Sequence, residues 1–80
     1  MVTKRVKFTF PPGLITEPVI YRLGQKFRVV TNIRRADVRA DMGWVVLEID
    51  GEAGEIERGL KWVREVGVRV DPVSGDVVEG

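Results

Sequence analysis

The 80-residue chain predicts an α+β fold, a four-stranded antiparallel sheet with two helices on one face. Three observations carry this expectation. Apolar residues alternate with period two in separate stretches, two other stretches repeat at spacings of three and four, and proline- or glycine-bearing turns divide them. The resulting order is strand, helix, strand, strand, helix, strand. With right-handed crossovers such a chain folds as a split βαβ sandwich.

Val6, Phe8 and Phe10 alternate with Arg5, Lys7 and Thr9, the pattern of a half-buried first strand. Two prolines and a glycine at 11–13 end it, because proline cannot donate to a ladder. Thr16, Glu17 and Pro18 predict a helix start, with a hydroxyl cap and an early acid. Ile15, Val19, Leu23 and Phe27 then form one stripe, and Gly24 within it implies close packing against a neighbour. From Arg28 the pattern turns extended. Val29, Thr31 and Ile33 share one face, while Val30, Asn32 and Arg34 share the other. Residues 40–43 have turn chemistry, and Val45, Leu47 and Ile49 resume alternation, so the two strands read as a hairpin. Ala53, Ile56, Leu60 and Val63 predict a second amphipathic helix ending at Gly67, a left-handed cap position. Val68 and Val70 make a short last strand before Pro72. The expected organisation is a single domain over 1–80, with 73–80 a tail that is either a small hairpin or frayed.

The 13 basic and 12 acidic residues leave a net charge of +1, which argues against nucleic-acid binding by bulk charge. A nucleic-acid reader on this architecture needs aromatics on the open sheet face, and Trp44 is a single candidate beside Arg34. There is no cysteine, no histidine and one serine, Ser74, so nucleophilic triads and thiolate metal sites lack their parts. No catalytic residue, metal ligand or cofactor is expected. The carboxylates Glu48, Asp50, Glu52, Glu55 and Glu57 read as a solvated strand end and an acidic first helical turn. The sequence opens with no signal-peptide pattern, and its longest apolar run, Trp44–Leu47, is far too short for a bilayer. A cytoplasmic protein without membrane insertion is expected.

Several stretches in order, EPVIYRL at 17–23, the Phe27–Ile33 run, and GWVVLEIDG at 43–51, closely resemble the NIL domain over about residues 4–73. The resemblance implies a ferredoxin-like fold and a non-catalytic regulatory module of sulfur metabolism. NIL domains occur as methionine-binding C-terminal domains of ABC importer ATPase subunits, and beside iron–sulfur ferredoxin-like modules. It therefore implies methionine or a related sulfur amino acid as ligand, with an importer or a ferredoxin as partner on another chain. Asn32 matches the asparagine associated with methionine in the importer domains, whereas Arg34 and Arg35 stand where those domains carry uncharged residues. The expected ligand-binding set is Asn32, Arg34, Trp44 and Val30, with Arg35 facing away unless a bulge re-aims it. The alternative for Asn32 is local pairing with backbone. A homodimer through the strand containing Val29–Ile33 is expected, because a small core is marginal and the strand offers an edge. The alternative function is a protein–protein adaptor for a redox complex.

Overall fold

The computed structural model describes residues 1–73. Strand β1 (Val2–Phe10) leads through a short 3-10 turn (Pro12–Leu14) to α1 (Val19–Lys26). Strands β2 (Val30–Val38) and β3 (Gly43–Gly51) form a hairpin, followed by α2 (Ala53–Glu65) and β4 (Arg69–Pro72). The sheet order is β2-β3-β1-β4, with every neighbouring pair antiparallel. This is the ferredoxin-like split βαββαβ sandwich that the pattern predicts. The residues beyond 73, most of the expected tail, lie outside the described part.

One layer of side chains joins sheet and helices. Val6, Phe8 and Phe10 on β1 lie opposite Leu47, Val45 and Gly43 on β3, so alternating residues of both central strands face one way. Val19 and Leu23 of α1 and Ile56, Leu60 and Val63 of α2 close over them, and all are buried. Phe8 and Phe10 meet edge to face, with centroids 6.3 Å apart, the geometry that places a ring edge on a π-face.

Helix α1 begins later than the sequence suggests. Thr16 caps nothing; Pro18 occupies the cap position, and no side chain bonds the helix start. The residue before a proline is pushed out of the helical region, so Glu17 stays in the preceding turn, where its amide donates to Leu14 O at 3.1 Å. Gly24 is also not the close-packed glycine. A Cβ there would meet only Val29 O, at 4.0 Å, whereas Gly59 of α2 touches Leu23 and Phe27. At the far end of α2 the backbone turns left-handed at Gly67 (φ 109°), and Val68 N–H reaches back to Val63 O at 3.2 Å. That return bond satisfies a carbonyl of the last turn and aims β4 back along β1.

Strand β2 is an edge of the sheet, paired with β3 alone among the described residues. Its register with β3 slips between Ile33 and Arg35, leaving Arg34 as a bulge with no opposite residue. Before the bulge Thr31 and Ile33 lie opposite Ile49 and Leu47, on the helix side. After it, Ala36 and Val38 lie opposite Val45 and Gly43, also on the helix side. Arg35 and Asp37 consequently project with Val46 and Trp44 to the open face. The bulge re-aims Arg35.

Candidate functional site

The helix-free face of the sheet is a polar lattice. Arg5 on β1 pairs across the ladder with Glu48 on β3, its Nε donating at 3.1 Å, and the Thr3 hydroxyl donates to Asp50. Lys7 places its ammonium 5.2 Å from the Trp44 ring centroid, a cation–π contact on an amphipathic surface. Arg69 and Asp71 pair at 3.0 Å on β4. Ion pairs, a hydroxyl–carboxylate bond and a cation–π contact thus share this face.

The four residues singled out by sequence divide between places. Val30 and Asn32 lie on the open face, opposite Asp50 and Glu48. Trp44 is on the same face but opposite Asp37, four residues along β3 from Glu48, about 13 Å at a strand's rise. Arg34 sits in the bulge. Within one chain, then, Val30 and Asn32 come together while Trp44 stands apart from them. Arg35 replaces Arg34 as the arginine on Asn32's face. Asn32 is exposed and makes no side-chain hydrogen bond among the described residues.

Sequence reasoning missed a second feature on the other side of β2. Between the first turn of α1 and the hairpin end of β2 and β3 lies a cleft of about 220 Å³. Phe10, Val19, Tyr21, Val38 and Val45 supply its apolar walls, and Glu17 lies beside them. Val38 is 59% exposed, Ile33 54% and Tyr21 66%, so an apolar strip runs from the cleft along the uncovered edge. A short helix explains it. Eight residues of α1 touch β2 but are too few to cover its helix side, so Ile33 and Val38 stay exposed. The spacing of Ile33 and Val38 held the signal: five residues apart, they share a face only if the strand bulges between them.

Several of the acidic residues are held by donors from neighbouring elements. Glu55 accepts from Arg28 N–H at 2.8 Å and from Arg58 at 2.7 Å, and these bonds, the backbone one foremost, hold its carboxyl below the usual glutamate range. Lys4 does the same to Glu57 through a 2.8 Å bond. Asp37 accepts two bonds from Arg39, at 3.2 Å each, and raises the pKa of that guanidinium. By contrast, Arg34 and Arg35 have no acidic partner among the described residues. No described helix is long and apolar enough to cross a membrane.

The backbone is similar to a solved structure, the C-terminal domain of an ABC transporter / ATP-binding protein from Enterococcus faecalis. The two superpose with a TM-score of 0.77 at 19% sequence identity, over 89% of this chain and 83% of that one. At that identity the likeness speaks for the fold. Among curated proteins none matches. The NIL domain matches residues 4–72, nearly all of the described chain, and the protein belongs to the NIL domain family.

Proposed function

We propose that this chain is a non-catalytic regulatory module that binds a small molecule, methionine or a related sulfur amino acid, at a site shared by two copies. The observation that carries the reading is the apolar cleft beside an uncovered edge strand. Small-molecule sites are concave and mostly apolar, with few polar groups, and a thioether side chain suits walls made of Phe10, Tyr21, Val38 and Val45. Membership of the NIL family and the likeness to a transporter-associated domain support a regulatory role in an importer setting. Two copies paired through β2 would set their clefts on one side of a continuous sheet. Asn32 and the arginines of the bulge would then supply polar contacts along the same edge, with Val30 beside Asn32 and Trp44 farther off as apolar surface.

Calorimetry with L-methionine and its relatives tests the proposal. Binding that is lost on Val38→Glu places the ligand in the cleft, and binding lost on Asn32→Ala places it on the open face. No heat with any of these amino acids at millimolar concentration would refute the sensor reading. A second reading, an adaptor for a redox complex, draws on the exposed Val30, Ile33 and Val38 of the same edge. It predicts capture of a partner's strand and no amino-acid binding.

A further inference from the structure

We infer that the Glu17–Arg22 ion pair at the mouth of the cleft is a clamp for the charged end of a free α-amino acid, Glu17 taking the ligand's ammonium and Arg22 its carboxylate. The inference rests on the amino-acid reading above and deepens it, naming the groups that select the ligand.

The size and charge of the cleft restrict what it holds. At about 220 Å³ it falls below the roughly 300–1,000 Å³ that enclose drug-sized ligands, so it suits a short apolar side chain and leaves the rest of a ligand at the rim. Glu17 is the one charged residue of its lining, and its side chain is 44% exposed, at the boundary with solvent. A lone carboxylate there would favour a cation and repel the carboxylate of an amino acid. Arg22 changes that balance, because its Nη1 lies 3.5 Å from Glu17 Oε1.

Helical spacing alone would not bring the two together. Residues five apart are not neighbours on a regular helix, where spacings of three and four meet. Pro18 makes the difference: Glu17 stays in the preceding turn while Arg22 joins the helix, its amide donating to Pro18 O at 3.0 Å. The pair thus straddles the start of α1, whose first turn lines the cleft. It is a loose pair. At 3.5 Å it is longer than a strong charge-assisted bond, and both side chains are about half exposed, so opening it for a ligand costs little. An α-amino acid carries its ammonium and its carboxylate on one carbon, opposite in sign to Glu17 and Arg22 in turn. Seated between them, it replaces one loose pair by two charge-assisted contacts while its side chain enters the cleft.

The test sets three ligands against two variants of the full chain, with affinities read by NMR titration into the millimolar range. L-methionine carries both charges, N-acetyl-L-methionine only the carboxylate, and L-methioninamide only the ammonium. Wild type is expected to bind L-methionine about tenfold more tightly than either single-charge ligand, or better, since each lacks a hydrogen bond between charged groups. Glu17→Gln is expected to weaken L-methionine by a similar factor and to leave N-acetyl-L-methionine unchanged. Arg22→Gln is expected to weaken L-methionine and to spare L-methioninamide. That crossed pattern separates a clamp from a folding defect, which would weaken all three ligands alike and overturn the inference. Unchanged affinity of both variants for L-methionine, or a wild type that binds all three equally, also overturns it and leaves the cleft reading standing. A wild type that binds none of the three removes the amino-acid reading itself, and the clamp with it.

Discussion

Gly59 of α2 faces Leu23 of α1 across a gap too small for a β-carbon: one placed there would lie 2.8 Å from Leu23 Cδ1. The two helices meet through that gap, and Leu23 fills it at 1% exposure. Gly59→Ala should therefore destabilise the fold. Overpacking of about 1–3 kcal/mol outweighs the roughly 1 kcal/mol by which alanine favours a helix, leaving a net loss of about 1 kcal/mol. In a domain of this size that lowers the melting temperature by about 4–8 °C, measurable by thermal circular dichroism. An unchanged or higher melting temperature would show that Leu23 has room to move.

Gly24 is expected to behave in the opposite way. It is exposed on α1, and the nearest atom to an added Cβ is 4.0 Å away. Gly24→Ala should stabilise by about 0.5–1 kcal/mol through helix propensity and a less flexible unfolded chain. Urea denaturation of the two alanine variants side by side checks the contrast in sign.

At Gly67 the objection is to backbone conformation. With φ at 109°, a side chain is strained whatever the space, and Leu14 Cδ1 lies 3.1 Å from the position a Cβ would take. Gly67→Ala should cost about 1–2 kcal/mol and loosen the approach to β4. Faster amide exchange at Val68 and Val70 would locate the damage there.

Glu55 links stability to acid. Its folded pKa lies below the ordinary 4.5, mainly because Arg28 N–H donates to it. A depressed acid contributes stability that is present above the unfolded pKa and lost as pH falls through the folded one. Glu55→Gln should therefore lower stability at neutral pH and flatten the acid limb of the stability profile below 4.5. An acid limb as steep as wild type would assign the effect to other carboxylates, Glu57 first.

For the ligand, a hydrogen bond from Asn32 to a charged group should make Asn32→Ala weaken binding about 10- to 150-fold. If the cleft alone holds the ligand, the same change leaves affinity untouched. Titration calorimetry of wild type and variant separates these cases without altering the core.

Much of the fold was legible because burial imposes a period. Val6, Phe8 and Phe10 could only be one face of a strand, and Ile56, Leu60 and Val63 only one face of a helix. Gly67 announced its left-handed turn. Packing partners were not legible: a glycine in a helix implies closeness to something, and nothing in Gly24 or Gly59 says which one has a neighbour. Thr16 looked like a cap because hydroxyls cap helices, yet Pro18 two residues on decided the start. The candidate site was legible only as a strand. Arg34 and Arg35 are both polar, so the slip between them moves no apolar residue into water and leaves only the odd spacing of Ile33 and Val38 as a trace. The cleft needed the length of α1, which helical periodicity does not report.

The bulge at Arg34 also limits how far the edge can propagate. A flat, fully in-phase edge strand accepts another strand along its whole length, and each addition offers a fresh template, which is how fibrils grow. Here the slip at Arg34 puts the two halves of β2 out of step, so an incoming strand of regular alternation that matches one half face for face mismatches the other. A single inserted residue thus shortens the template that the edge offers, and deleting Arg34 should lengthen it and raise the tendency to aggregate.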